Sequence, residues 1–156
     1  MPELVGARQL AHDGWLGSVK AALALTGVDA RNITLEITER ASLEHHSSLV
    51  DHMRALRALG YRIAVDDLGA GYAGLSYFAR LAPDVVKIDV SLTRDVDRDP
   101  VRQRIVASIC TLAHDLGMLV VAEGIETQGE FVRVGELGVD LVQGYFVARP
   151  GPYRAG

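Results

Sequence analysis

Apolar residues along this chain form two kinds of pattern. Short runs rich in apolar and β-branched residues predict strands, and apolar residues three to four positions apart predict amphipathic helices. The predicted strands are 33–39, 63–67, 85–89, 119–123 and 140–143, with a sixth at 145–148. The predicted helices are 15–26, 43–59, 74–81, 101–116 and 128–137. Residues 1–14 show no periodicity and are predicted to be irregular.

Three predicted helices end in the same dipeptide, Leu-Gly, directly before a strand. A glycine that adopts left-handed angles ends a helix and turns the chain back toward the sheet. Strands that alternate with helices in this way predict parallel βαβ units in an α/β fold. The repetition favours a (β/α) barrel, and no Gly-x-Gly-x-x-Gly turn follows the first strand to favour a doubly wound dinucleotide fold.

The length of the chain limits this barrel. A complete eight-stranded barrel takes about 250 residues, whereas this chain has 156 residues. We therefore expect one domain over residues 1–156 that forms an incomplete TIM-type (β/α) barrel of about five or six strands.

Composition narrows the class of protein. Hydrophobic residues make up 49% and charged residues 23%, as in globular domains, and the net charge of −4 argues against binding to duplex nucleic acid. The single cysteine, Cys110, falls in a helical pattern, which favours a buried structural thiol. No secretion signal or membrane-spanning run is evident, so we expect a cytoplasmic protein.

The second predicted strand, 63–67, ends in two carboxylates. Asp66 and Asp67 follow the apolar residues 63–65 and precede a turn that contains Gly69 and Gly71. A carboxylate at the end of a buried strand is costly unless it is paired or binds a metal, which suggests an ion site. The alternative is a strand that simply stops at a polar turn, since aspartates are common turn residues.

Other predicted strands also carry polar residues at or near their carboxyl ends. These residues are Glu36, Lys87, Glu123 and Gln143. In a parallel β/α architecture such ends share one face, where active sites form. Glu36 alone is compatible with a solvated strand residue, and Glu123 with a cap of the following turn. Lys87 lies inside a buried strand and requires a carboxylate partner or a ligand.

These residue types permit metal-assisted chemistry. Carboxylates with amide or water ligands suit hard cations such as Mg²⁺ or Mn²⁺. Two cations that share Asp66 would polarise a phosphoryl oxygen and supply a hydroxide, with Lys87 near the attacking water or the developing charge. The competing hypothesis is an enolase-like site, in which a lysine removes a carbon-bound proton.

Five motifs in a characteristic order resemble the EAL domain of bacterial cyclic di-GMP phosphodiesterases, from about residue 8 to residue 150. The motifs are Leu35-Glu36-Ile37-Thr38-Glu39, Asp66-Asp67-Leu68-Gly69-Ala70-Gly71, Val86-Lys87-Ile88-Asp89, Ala122-Glu123-Gly124-Ile125-Glu126-Thr127 and Gln143-Gly144-Tyr145. The resemblance implies a modified TIM barrel that hydrolyses cyclic di-GMP to the linear dinucleotide pGpG with two Mg²⁺ or Mn²⁺ ions.

The resemblance also implies roles for individual residues. Glu36 and Asp66 match ligands of the first metal, and Asp66 and Asp67 match ligands of the second. Lys87 matches the lysine that positions the hydrolytic water, and Glu123 the acid that acts on this water. Two further matches are Gln143, a glutamine of the site, and Glu39, which anchors the control and dimerisation loop at 68–78.

The sequence departs from the family pattern at several positions. The Glu-Ala-Leu signature, whose glutamate is a metal ligand, does not occur in these 156 residues, nor does its substrate-binding arginine. Leu4 stands where the family has an asparagine ligand, and Leu68 and Ala70 replace the usual phenylalanine and threonine. The first metal would therefore lack two protein ligands, and we expect hydrolysis by this chain alone to be weak or lost.

Three hypotheses follow for the function of the chain. The first is an active phosphodiesterase that uses the remaining site residues, the second an inactive module that binds cyclic di-GMP or a protein, and the third a structural and oligomerising unit. An incomplete barrel exposes sheet edges, which pair readily with another chain. We therefore expect a homo-oligomer, or a partner chain that completes the barrel.

Overall fold

The structure is a computed structural model that describes residues 17, 21, 27–38, 46–68 and 82–149. Within these ranges the strands are β1 (Thr34–Thr38), β2 (Arg62–Leu68), β3 (Val85–Ile88), β4 (Leu119–Ala122) and β5 (Leu141–Val142). The helices are α1 (His46–Ala58), α2 (Val90–Thr93), α3 (Pro100–Asp115) and α4 (Gln128–Glu136), and Ala30–Asn32 form a 3-10 turn.

The five strands form one sheet in the order β1-β2-β3-β4-β5. The pairs β1–β2 and β4–β5 are parallel. This sequential order is that of strands in a (β/α) barrel, whereas a doubly wound sheet reverses its strand order at a switch point. The predicted α/β class, with strands that alternate with helices, is confirmed.

The chain divides into two compact units, Met1–Val86 and Lys87–Gly156. In the first unit, α1 buries Met53 and Leu56, and β2 buries the consecutive residues Ile63, Ala64 and Val65. Continuous burial along a strand, on both of its faces, is the reason that this segment has a continuous apolar run instead of an alternating one.

The core of the second unit comes from α3, β4 and α4. Val106, Cys110 and Ala113 face inward from α3, Val120 from β4 and Val134 from α4. Cys110 is a free, buried thiol, as predicted. Burial, with a smaller contribution from the charge of Asp140, raises its pKa to about 11, so this thiol is unreactive at neutral pH.

Local sequence signals set the ends of the helices in the second unit. Asp99 caps α3 by accepting the N–H groups of Val101 and Arg102, and Pro100 occupies the first turn, where its missing N–H costs nothing. Thr127 and Glu130 form a reciprocal capping box at the start of α4. These caps explain why the predicted and observed boundaries agree so closely here.

The structure corrects three details of the predicted elements. Strand β2 runs from Arg62 to Leu68, one residue longer at each end than the predicted strand 63–67, and it includes Asp66 and Asp67 as predicted. The predicted sixth strand at 145–148 is wrong, because Val147 and Ala148 donate to the Gly144 carbonyl in a turn. The short helix α2 was not predicted.

Two predicted elements lie outside the described residues. These are the irregular segment at 1–14 and the helix at 74–81. Of the predicted helix at 15–26, the structure describes Gly17 and Ala21, and both are helical. The single-domain assignment over residues 1–156 stays a prediction.

Candidate functional site

Two of the predicted carboxylates lie on one face of the sheet in the first unit. Strand β1 is in register with β2 so that Glu36 lies opposite Ala64, and Thr38 opposite Asp66. Side chains alternate faces along a strand, so Glu36 and Asp66 point to the same side from adjacent strands. Asp66 is buried and Glu36 is half-buried. This placement suits two ligands of one ion.

The second unit contains a buried ion pair between two predicted site residues. The Nζ atom of Lys87 lies 2.7 Å from Oε1 of Glu123, and their side chains are 8% and 20% exposed. The expectation that a lysine in a buried strand requires a carboxylate partner is confirmed. A buried charge without a partner is costly, and the contact gives each side chain of this pair a partner of opposite charge.

Backbone hydrogen bonds hold Glu123 and Gln143 on neighbouring segments. Strand β4 ends at Ala122, and the next residue, Glu123, donates its N–H to the Ile88 carbonyl of β3 at 3.1 Å. Gln143 follows β5 and donates its N–H to the Ala122 carbonyl at 2.9 Å. Lys87, Glu123 and Gln143 thus come from three consecutive strands, although the Gln143 side chain is exposed to solvent.

Other predicted site residues lie outside the part of the chain that the structure describes. Glu39 and most of the control loop at 68–78 belong to this group, as does Leu4. The backbone of Asp67 lies in β2, but its side chain is not among those described.

The sequence alone did not identify a cluster of charged residues that includes Glu126 and Glu130, close to Glu123 along the chain, and Arg94. Glu130 is 1% exposed and accepts the N–H groups of Asp95, Glu126 and Thr127 at 2.9 to 3.1 Å. Arg94 binds Glu126 at 2.7 Å beside it. The signal in the sequence was the spacing of Thr127 and Glu130, which is that of a capping box.

The hydrogen bonds of Glu130 decide its protonation state. Burial opposes ionisation of the carboxyl, but the three backbone N–H donors and the nearby Arg94 outweigh burial and lower the pKa of Glu130. Glu130 is therefore charged, and its hydrogen bonds to the N–H groups of Glu126 and Thr127 hold the loop that follows Glu123 and Gly124.

The described residues provide only part of a metal site. Glu36 and Asp66 have the oxygen donors that hard cations prefer. Among the described side chains, no group of three or more His, Cys, Asp or Glu residues is arranged to hold a metal ion.

The helices that the structure describes include none that is long and apolar enough to cross a membrane.

Residues 4–150 match the EAL domain family model. Among curated proteins, the cyclic di-GMP phosphodiesterase NbdA of Pseudomonas aeruginosa is 34% identical over 149 residues, which cover 96% of this chain and 19% of NbdA. The chain spans 16% to 24% of the length of the curated relatives that it matches.

Solved structures show the same similarity. The EAL domain of Mycobacterium smegmatis DcpA superposes with a TM-score of 0.89 at 31% identity, and the match covers 94% of this chain and 66% of that one. Klebsiella pneumoniae BlrP1, solved in complex with manganese and cyclic di-GMP, gives a TM-score of 0.86 at 36% identity, with 91% of this chain and 36% of that chain covered.

Proposed function

We propose, since this chain belongs to the EAL domain family, that it acts in cyclic di-GMP signalling by hydrolysing cyclic di-GMP to the linear dinucleotide pGpG. The observation that carries the proposal is the buried ion pair between Lys87 and Glu123, in a chain that matches the family over residues 4–150. BlrP1, which is 36% identical, binds this ligand together with manganese.

Three carboxylates are the proposed metal ligands. Glu36 and Asp66 would bind one divalent cation, and Asp66 and Asp67 a second, with Mg²⁺ or Mn²⁺ as the ions. A cation bound by carboxylates polarises a phosphoryl oxygen and lowers the pKa of a bound water. The placement of Glu36 and Asp66 on one face of adjacent strands supports this assignment.

Lys87 and Glu123 are the proposed groups that act on the water and the phosphate. The Lys87 ammonium would orient the attacking water and stabilise negative charge on the phosphoryl group. The Glu123 carboxylate would accept a proton from the water. Their 2.7 Å contact supports this division of roles, because it brings the two side chains together at one point of the site.

The remaining predicted residues have supporting roles in this proposal. Gln143 would line the substrate site, and Glu39 would anchor the control loop. Leu4 offers no ligand atom where the family has an asparagine, so we expect slow turnover by this chain alone. We further propose that the protein acts in the cytoplasm.

The experiment that tests the proposal is an assay of cyclic di-GMP conversion to pGpG by the purified chain, with Mn²⁺ and with Mg²⁺. We expect slow, metal-dependent product formation that Asp66→Asn and Glu123→Gln abolish. Asp51→Asn and Glu136→Gln are matched controls, since both residues lie in exposed helical ion pairs. Turnover that persists in Glu123→Gln would contradict the assigned role of Glu123.

The second candidate function is binding of cyclic di-GMP without turnover. The observation in its favour is that the described side chains contain no group of three potential ligands arranged for a metal. Calorimetric binding of cyclic di-GMP by a chain that forms no pGpG would favour this candidate. Failure to bind in the same measurement would exclude it.

Self-association is a further part of the proposal. Strand β5 is the last in the order of the described strands, and Leu141, Tyr145 and Phe146 near it are 54%, 56% and 43% exposed. Apolar residues beside a sheet edge favour pairing with a second copy or with a partner chain that completes the barrel. Sedimentation should show a dimer or larger species, and a monomer at micromolar concentration would contradict this.

A further inference from the structure

A buried hydroxyl contacts the backbone of a proposed site residue in the second unit. Thr93 is the last residue of α2 and is 0% exposed. Its Oγ1 donates a hydrogen bond of 2.5 Å to the carbonyl oxygen of Glu123. A hydroxyl inside a core is tolerated only when it is hydrogen-bonded, so this contact accounts for a threonine at an otherwise apolar position.

The segment that carries Lys87 also holds Glu123 in place. The Ile88 carbonyl, one residue after Lys87, accepts the Glu123 N–H at 3.1 Å. Thr93, five residues further along, binds the Glu123 carbonyl. Both sides of the Glu123 backbone are thus tied to residues 88–93, and the side chain reaches Lys87 at 2.7 Å.

Without these contacts, the Glu123–Gly124 peptide would be the place where the backbone at Glu123 rotates most easily. Gly124 has a φ of +67°, a region that glycine enters freely, so rotation of the Glu123–Gly124 peptide meets little intrinsic resistance. Val90 of α2 packs so closely that a Cβ on Gly124 would lie 2.5 Å from its Cγ2 atom. Helix α2 therefore contacts this peptide with both a hydroxyl and an apolar side chain.

We infer that Thr93 is a positioning residue, whose hydroxyl fixes the Glu123–Gly124 peptide and thereby holds the Glu123 carboxylate on Lys87. The inference rests on the proposed function for its consequence in catalysis. Its structural content, the dependence of the Lys87–Glu123 contact on the Thr93 hydroxyl, is measurable without substrate.

The experiment compares Thr93→Val, which removes the hydroxyl at nearly constant volume, with Thr93→Ser, which keeps it. Thr111→Val is the matched control, because Thr111 also donates its hydroxyl to a backbone carbonyl, that of Ala107, but on the exposed surface of α3. The structural measurement is the ¹⁵N–¹H spectrum of the lysine ammonium groups. The chain has two lysines, Lys20 and Lys87, so Lys20→Arg assigns the signals.

We expect the Lys87 ammonium signal to shift or broaden in Thr93→Val and to stay unchanged in Thr93→Ser and Thr111→Val. In the cyclic di-GMP assay, Thr93→Val should lower kcat on the order of tenfold and leave KM little changed. Tenfold is the lower end of the loss seen when residues that orient the ligands of a site are substituted. Thr93→Ser should restore kcat, which a purely steric role of the threonine would not predict.

Several results would overturn the inference. An unchanged Lys87 signal in Thr93→Val would do so, with or without a change in kcat, as would a Thr93→Ser protein that is as impaired as Thr93→Val. If the Lys87 signal responds as expected but the unsubstituted chain forms no pGpG, the positioning role of Thr93 stands and the proposed hydrolytic function fails.

Discussion

Two pairs of adjacent segments in this chain are joined by the same arrangement around an aspartate. In the first unit, Asp84 precedes β3, accepts the N–H of Ile63 at 2.8 Å and donates its own N–H to the Ile63 carbonyl at 2.9 Å. In the second unit, Asp140 precedes β5 and makes the same two contacts with Val120, at 2.7 Å and 3.0 Å. In both regions the aspartate sets the register of the chain against the preceding strand.

The two regions differ in the basic side chain that binds the aspartate. Arg57, from the last turn of α1, places Nε 3.3 Å from Asp84 and also donates to the Ala82 carbonyl. His114, from the last turn of α3, places Nε2 2.9 Å from Asp140. The geometry at the aspartate is the same with either base, which indicates that the backbone contacts define the arrangement and the base reinforces it.

The helix ends before these strands also correspond. Gly60 and Gly117 adopt φ values of +95° and +75° after α1 and α3. The next residues, Tyr61 and Met118, are buried, and their N–H groups return to helix carbonyls five residues back. The chain therefore leaves both helices along the same path before it enters β2 or β4.

Substitution of either aspartate should have the largest effect on the stability of the chain. Ile63 and Val120 are fully buried, so Asp84→Ala and Asp140→Ala each remove an acceptor from a buried N–H and should lower the free energy of unfolding by about 1–3 kcal/mol. Urea denaturation measures this loss, and exchange of the Ile63 or Val120 amide locates it. Asn at either position keeps an acceptor oxygen and should cost less; an equal loss with Asn and Ala would contradict the backbone role.

The next largest loss of stability should come from substitution of Gly60 and Gly117, the glycines that follow α1 and α3. Alanine in the left-handed region costs roughly 1–2 kcal/mol, and Gly60→Ala also places a Cβ 3.3 Å from Cγ of Arg31, whereas the space at Gly117 is open. We therefore expect Gly60→Ala to be more destabilising than Gly117→Ala in urea denaturation. Gly135, inside α4 with open space and no left-handed angle, is the matched control, because alanine there should stabilise the helix. A larger loss of stability with Gly117→Ala than with Gly60→Ala would contradict this prediction.

A smaller effect is predicted for the acid sensitivity of the second unit. Burial opposes ionisation of Asp140, but the Val120 N–H and His114 outweigh it and hold the pKa of Asp140 below its ordinary value. A carboxyl with a lowered folded pKa contributes stability above its unfolded pKa, and this contribution is lost as the pH falls through the folded pKa. Asp140→Asn should therefore lose less stability between neutral and acidic pH than the unsubstituted chain; parallel curves would contradict this.

The smallest effects should come from the two basic residues. Both pairs are partly exposed, so Arg57→Ala and His114→Ala should each cost no more than about 1 kcal/mol after solvent screening. Arg57→Ala should cost more, because Arg57 also donates to the Ala82 carbonyl. Arg54→Ala, in an ion pair whose side chains are more than 70% exposed, should have no measurable effect. A larger loss with His114→Ala than with Arg57→Ala would reverse the ranking.

Much of the fold was predictable because its signals are local. Runs of apolar and β-branched residues predicted the five strands that the structure describes, and the glycines after the helices predicted where the helices end. The false strand at 145–148 shows the limit of this approach. Its apolar residues satisfy a strand pattern, but hydrogen bonds to Gly144 close a turn there.

The sequence predicted where the proposed site residues lie along the chain but not which of them are in contact. Glu36, Asp66, Lys87, Glu123 and Gln143 were proposed from their positions at or near strand ends, and a buried lysine implied a carboxylate partner. Which carboxylate pairs with Lys87 depends on the neighbour order of the strands, a long-range property that no local pattern contains. Thr93 was overlooked for the same reason, because its partner, the Glu123 carbonyl, is thirty residues away.

The sequence by itself determined the alternation of strands and helices, their approximate ends, and the family, because periodicity, capping and motif order all act over short distances. Only the tertiary structure decided that Lys87 binds Glu123, that Thr93 binds the Glu123 carbonyl, and that Asp84 and Asp140 secure their neighbouring strands. These contacts arise when distant segments pack and buried polar groups must find partners, a requirement that each segment meets only within the folded chain.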